Sequence, residues 1–399
     1  MTIRRFSYRC FRSFLLAAVA VAGGFGSMSA VEMSDTLTVS VRDSIAPSRR
    51  NIVQRVIDYF ASSNKTPLTR RPSFTFIGGP HYSTSTGFGI GLVAAGNYST
   101  NPGDTAVFPS NFSVFADLTT GGYYKVGVDG IHNYRNGDSR INYELSFNSY
   151  DTYFWGVGYA AGRDSDNKGK YQLIDVMLEA DHLWRLKGRL FGGPIVRLNY
   201  LAARHRERPE QWEGLPVSYP AAAVGLRLEW DTRDNFTAPT RGWLLHLTQR
   251  FSPRFLGNGG RSYSSTEISL NHYRSLWRGA VLAGRLHAHL SYGHTPWGLM
   301  PTVGNSTTLR GYYQGRYRDK CETDFTLELR QHIWRRSGIV AWGGAGFVFP
   351  DVKGLRLRHI LPNWGAGYRW EFKKQSNVRV DVGFGKCCWG FVLSMNEAF

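Results

Sequence analysis

The sequence predicts an all-β protein, a transmembrane antiparallel β-barrel of about sixteen strands. Three observations lead to this. From Ser73 onward apolar and polar residues alternate with a period of two, the polar face repeatedly carries both charge signs, and the stretch 391–399 reads as a strand that stops on an aromatic residue. Composition agrees. Aromatics make up 14% of the 399 residues and glycine occurs 45 times, a balance that favours strands over helices. Mean hydropathy is −0.31, and no run approaches the roughly 20 apolar residues that a membrane helix needs. A helical membrane protein is therefore excluded. A barrel is not, because only every second residue of its strands faces lipid.

Residues 1–30 read as a secretory signal peptide. Arg4, Arg5, Arg9 and Arg12 form a basic leader, Phe14 to Ala22 an apolar core, and Ser27, Ser29 and Ala30 offer a cleavage site. Losing four arginines and no acids takes the formal charge from +18 to +14. Nucleic acid is the usual partner of so basic a chain, but an export signal argues against it. Phosphorylated lipopolysaccharide outside, or a charged lumen within, accounts for the charge instead. Beyond the signal stand Cys321, Cys387 and Cys388, an odd number with no metal spacing and no disulfide framework. No cofactor or metal is expected.

Residues 31–72 form a polar periplasmic N-terminal segment. Ser48 caps a short amphipathic helix to about Ser62, with Ile52, Val53, Val56, Ile57 and Phe60 spaced by three and four. One helix cannot bury such a stripe alone, so it either docks on the barrel rim or lies on the membrane surface. Residues 73–399 are the outer-membrane barrel. Ile141, Tyr143, Leu145 and Phe147 alternate with Asn142, Glu144, Ser146 and Asn148, and the pattern recurs in 279–292, 363–373 and 377–385. Asp175, Glu179, Arg227, Glu229, Glu328 and Arg330 all fall on the polar face. A soluble barrel would place its ionic residues outside and its apolar ones inside. Phe391, Leu393, Met395 and Phe399 share the apolar face of the closing strand, with Glu397 the exception.

Connection lengths complete the plan. The turns at 135–138, 186–188, 335–338 and 373–376 are tight, whereas 151–170, 204–218, 252–261 and 293–321 are long. Short periplasmic turns and long outer loops show this asymmetry. Trp and Tyr near strand ends (Tyr98, Tyr150, Tyr200, Trp230, Trp243, Trp334, Trp370, Trp389) suit two interfacial girdles. Arg204, Arg206 and Arg208 in an outer loop either meet lipopolysaccharide phosphates or are solvated. The first strand is expected to end near Gly78-Gly79, which would weaken its seam with the last.

Three segments carry a family resemblance. Leu309-Arg310-Gly311-Tyr312, in the long loop between the eleventh and twelfth barrel strands, resembles the Arg-Gly-aromatic motif of the BamA/TamA superfamily of outer-membrane insertases, the bacterial surface antigens. Asp231-Thr232-Arg233-Asp234 with the later Gly242 resembles that family's periplasmic turn between the eighth and ninth strands, and Gly383-Phe384-Gly385-Lys386 with Asn396-Glu397-Ala398-Phe399 resembles its last two strands. The resemblance implies an extracellular loop folded back into the lumen, with Arg310 held by a carboxylate of the wall. Glu328 is the expected partner because alternation points it inward, and Gly311 permits the sharp approach of backbone to wall. The family often adds an acid on the thirteenth strand, but Gly344 stands near that position, so the anchoring of Arg310 is expected either to be simpler or to be shared with Asp324. About forty residues lie between signal and barrel, fewer than one periplasmic POTRA domain requires, so the likeness is to a barrel-only branch.

Catalysis is not expected. His287 and His289 face the lumen, yet no Ser or carboxylate partner is fixed by spacing. Asp181 and His182 are neighbours and point to opposite faces of a strand. Gly87, Gly89 and Gly91 sit within a strand and do not form a phosphate loop. The implied function is assistance to protein or lipid insertion or translocation at the outer membrane. Outer-membrane lipid, lipopolysaccharide and unfolded outer-membrane proteins or assembly subunits are the expected partners. The alternatives are a passive channel or a surface antigen without transport.

Overall fold

A computed structural model describes residues 73–399 except 84–86, 102–108, 257, 259, 374 and 375. The stretches read as a signal peptide, a polar segment over 31–72 and an amphipathic helix within it lie outside the described residues. The strands in chain order are β1 (Ser73–Ser83), β2 (Gly87–Tyr98), β3 (Ser110–Thr119), β4 (Tyr124–Asn133), β5 (Ser139–Phe154), β6 (Gly169–Lys187), β7 (Leu190–Arg204), β8 (Ser218–Asp231), β9 (Gly242–Ser252), β10 (Tyr263–Ser275), β11 (Ala280–Gly293), β12 (Thr302–Val303), β13 (Tyr317–Arg318), β14 (Cys321–Trp334), β15 (Ser337–Phe349), β16 (Leu361–Lys373), β17 (Ser376–Gly385) and β18 (Cys388–Met395). All except β12 and β13 join one closed antiparallel barrel, in which β14 follows β11 directly and β1 meets β18. The barrel therefore has sixteen strands. β12 and β13 form a small ladder inside the long β11–β14 loop.

Strand β14 shows why the chain folds this way. Phe325, Leu327 and Leu329 are exposed on its outer face, while Glu322, Asp324, Thr326, Glu328 and Arg330 are buried on its inner one. On β8, Leu226 is 63% exposed in mid-strand, between exposed Val224 and Leu228. Water would penalise such an apolar belt, and hydrocarbon solvates it. Among the described residues no helix is long and apolar enough to cross a membrane; the strands cross instead. Tyr200, Trp243, Trp334, Trp370 and Trp389 are exposed near strand ends, where an indole or phenol can bridge tail and headgroup. Tyr150 differs from that expectation. It falls on the inward parity of β5 and packs against the aromatic cluster of the barrel mouth.

The tight β4–β5, β6–β7, β14–β15 and β16–β17 turns lie at one end and the long β5–β6, β7–β8, β9–β10 and β11–β14 loops at the other. The division is not complete: the β1–β2, β3–β4 and β17–β18 turns at the loop end are also short, and the β2–β3 and β8–β9 connections at the turn end are longer. At the loop end, Phe154, Tyr171, Trp212, Tyr219 and Trp297 form an enclosed aromatic cluster. Trp297 Nε1 donates to the Pro216 carbonyl at 2.8 Å, and the Tyr219 hydroxyl accepts from the Gly298 amide at 2.9 Å. These contacts bind the long loop to the 205–217 loop across the mouth. A five-residue helix α1 (Tyr159–Arg163) in the β5–β6 loop lies beside them.

Closure departs from the sequence reading in two respects. β1 does not stop at Gly79 but runs through Pro80 to Ser83, pairing with β2 along its whole length. Against β18, however, only Tyr82 opposite Leu393 and Ser83 opposite Val392 are in register among the described residues. The second departure is at the end of β18 itself. Phe391, Leu393 and Met395 keep the outward parity of the apolar face, but Asn396 adopts φ 61° and the strand ends before it. The alternation is broken there. Glu397 turns inward, and Phe399, expected outside, lies against the Arg330 guanidinium, 5.5 Å from ring centre. The reason is electrostatic. Glu397 accepts from Arg369 Nε at 2.8 Å and from Asn377 Nδ2 at 2.6 Å, and an ionised carboxylate could not stay on a lipid-facing register.

Candidate functional site: the inward loop and the seam

The long loop between β11 and β14 is shaped from its own sequence first. The Asn305 side-chain oxygen accepts from the Thr307 and Thr308 amides at 2.7 and 2.6 Å, a side-chain-closed turn of the kind Asn favours. Leu309 follows at φ 45° and is buried with Val303, Tyr312, Tyr317, Val348 and Leu361. This apolar knot leaves the next residue, Arg310, aimed at the wall.

Arg310 is 1% exposed. Its Nη1 donates to Asp381 Oδ2 at 2.6 Å, its Nη2 donates to Glu328 Oε2, and its guanidinium lies 3.6 Å from the centre of the Trp342 ring. Glu328 also accepts from Arg330 Nε at 2.8 Å, and Asp381 from Arg369 Nη1 at 2.6 Å. Arg379 Nη2 donates to the Ser306 carbonyl at 2.8 Å. The acids and arginines of β14, β16 and β17 thus form one network around the loop tip. Arg310, Glu328 and Asp381 each make two hydrogen bonds within it, the condition under which burial is tolerated, whereas Arg330 Nη1, Arg369 Nη2 and Arg379 Nε and Nη1 are buried without a hydrogen-bond partner.

Strand register makes the seat. Glu328 lies opposite Trp342, Trp342 opposite Gly365, and Gly365 opposite Gly383, a single row across four adjacent strands. A side chain at Gly365 would collide with the Trp342 indole, and one at Gly383 with the Arg310 carbonyl. Gly311 has φ 112°, and a Cβ there would stand 2.5 Å from the Gly383 oxygen. Backbone therefore meets backbone where the loop touches the wall. Asn363 closes the seat, donating to the Arg310 carbonyl at 2.5 Å and accepting from Trp342 Nε1 at 2.9 Å. Tyr312 donates to the Pro362 carbonyl and accepts from the Lys386 amide, both at 2.8 Å.

The structure brings Arg310, Gly311, Tyr312 and Glu328 together. Asp324 does not join them. It stands 3.3 Å from His287 Nδ1, beside Glu322 at 3.0 Å from the same nitrogen. The second acid is Asp381, on a strand the sequence reading had not connected with the loop. Trp342, Asn363, Arg369 and Gly383 also went unassigned. The inward parity of Arg379, Asp381 and Gly383 was visible, but their height against residue 310 depends on register across intervening turns. The donor atoms of His287, Glu322 and Asp324 lie within 4.8 Å of one another, a set chemically able to hold a divalent cation.

At the opposite end, Asp231 receives Arg233 in a forked pair, with Nε to Oδ1 at 3.0 Å and Nη2 to Oδ2 at 2.8 Å. Asp234 Oδ1 accepts from the Thr240 and Arg241 amides at 2.9 and 3.2 Å. Burial raises the Asp234 pKa, but the Thr240 hydroxyl and these amides outweigh it and hold the carboxyl below its ordinary value. Gly242, at φ 108°, faces the Thr232 carbonyl so closely that no side chain fits.

A closed sixteen-stranded barrel with a charged lumen, an apolar girth and a loop seated inside defines an outer-membrane β-barrel protein. Residues 99–348 match the Omp85 superfamily domain, and the chain belongs to that superfamily. Solved structures with the same fold include BamA from Haemophilus ducreyi lacking POTRA domains 1-3, with TM-score 0.56 and 11% identity over 82% of this chain and 70% of that one. CdiB from Escherichia coli gives 0.54 and 10% over 86% and 70%. CdiB from Acinetobacter baumannii gives 0.51 and 10% over 83% of this chain, which spans 60% of that one. No curated protein matches the sequence.

Proposed function

We propose that the barrel assists the insertion or translocation of protein or lipid at the outer membrane through its β1–β18 seam, and that its role is not catalytic. The supporting observation is the brevity of that seam. Among the described residues two pairs join β1 to β18, whereas β1 and β2 pair from Ser73 to Ser83. Unpaired backbone is costly in hydrocarbon, several kcal/mol for each group, so the seam is the place where an incoming strand lowers the free energy most by pairing. The seated loop would keep the lumen closed while the seam works.

The test is a lock. Tyr82→Cys with Leu393→Cys, made where Cys321, Cys387 and Cys388 are serine, places two thiols on directly opposed residues within disulfide reach. In liposomes, the reduced protein should speed the folding of a denatured outer-membrane barrel or the flipping of a labelled lipid, and the oxidised protein should not. Equal rates in both states for both cargoes would remove the seam from the mechanism. A passive channel is the second reading. It draws on a cavity of about 320 Å³ between the loop and the β4–β6 wall, lined by Tyr123, Lys125, Glu144, Asn148 and Arg318 among others.

A further inference from the structure

A second feature at the loop end lies outside the seam and adjoins the Arg310 seat only through Tyr159 and the Lys386 backbone. The β15–β16 loop, Asp351-Val352-Lys353-Gly354-Leu355-Arg356-Leu357-Arg358-His359-Ile360, alternates cations with large apolar residues. Leu357 is 81% exposed and Val352 63%, with Leu355 and Ile360 also exposed. An aqueous loop gains nothing by such exposure. Behind the loop opens a cavity of about 680 Å³, lined by Tyr159, Arg163, Asp164, Arg358, His359 and Lys386. Its floor is firm, because the Tyr159 ring stacks on His359 at 4.2 Å and 8° and its hydroxyl lies 3.1 Å from Lys386 Nζ. Beneath, Tyr159 stacks on Tyr317, which packs edge-on against Tyr312.

The cavity has too little negative charge for its cations. Asp164 is the sole acid lining it, and that carboxylate accepts from the Asp166 amide at 2.9 Å within its own turn. Among the described residues no carboxylate pairs with Arg163, Arg356, Arg358 or Lys386. Burial, then Arg358, Arg356 and Lys386, lower the proton affinity of His359. The adjoining apolar side chains suit acyl chains. A ligand with phosphates beside hydrocarbon satisfies both halves.

We propose that this cavity binds the phosphorylated headgroup of an outer-leaflet glycolipid, with Arg163, Arg358 and Lys386 on the phosphates and Leu357 and Val352 among the acyl chains. The inference rests on the outer-membrane setting and not on any activity of the seam. The full-length protein in detergent would be titrated with diphosphoryl lipid A, dephosphorylated lipid A and inorganic phosphate, with binding read by native mass spectrometry. The diphosphorylated lipid should bind, more weakly as salt rises, and each of Arg163→Ala, Arg358→Ala and Lys386→Ala should cost about fivefold in affinity. Leu357→Ser should weaken the lipid without affecting inorganic phosphate. Retained heat-modifiable mobility would show that each variant still folds. Equal binding of the dephosphorylated lipid, or wild-type affinity in the folded triple variant, would overturn the proposal. Inorganic phosphate binding as tightly as the lipid would also overturn it, by marking a free-anion site. Loss of seam activity would leave these outcomes unchanged.

Discussion

Arg310 is held by two carboxylates, an indole face and an amide. Removing it leaves Glu328 and Asp381 buried against fewer cations, a change expected to cost about 3–5 kcal/mol. Arg310→Ala should lower the midpoint of heat-modifiable unfolding and the yield of folded barrel. Wild-type values for both would remove the anchoring role. Arg310→Lys should recover little, since an ammonium cannot fork between two acids while lying flat on Trp342. Gly383→Ala tests the wall side: its methyl would strike the Arg310 carbonyl, so the loop should unseat although every charge remains.

The turn between β8 and β9 carries a pH prediction. The Asp234 carboxyl has a depressed pKa, so its contribution is fully present above its unfolded value and is lost as pH falls through the lower folded value. Protection of the Thr240 and Arg241 amides in hydrogen exchange should therefore persist into acid beyond the ordinary carboxylate range and then fail. Asp234→Asn should abolish that transition. At the last strand, Glu397→Gln should release the inward-turned end and allow more of it to pair with β1. Seam cross-linking at positions beyond Met395 would then rise. The strands themselves were legible because period-two alternation is local, and β14 shows it residue by residue. Asp381 and the break at Asn396 were not. One needs the relative height of strands far apart in the chain, and the other results from a tertiary ion pair overriding a local pattern.

For the barrel as a whole, the charged lumen and the seated loop predict a quiet pore. Purified protein in planar bilayers should conduct little, and Arg310→Ala should open it. High conductance in the wild type would favour the passive channel. Because the anchoring ions are buried, salt should screen them far less than it screens the outer loops, and raising ionic strength alone should not open the pore.

The seat of the loop also sets an order of events. Residue 310 is made long before Asp381 and Gly383, yet it rests on them. Until β17 has joined the wall, the arginine has half its counter-charge and the glycine has no surface to meet. Docking of the loop therefore reports that the closing hairpin has arrived, and a barrel stalled short of that point would carry an incompletely paired cation in its bore. Such a species would be marked for rejection by its own sequence.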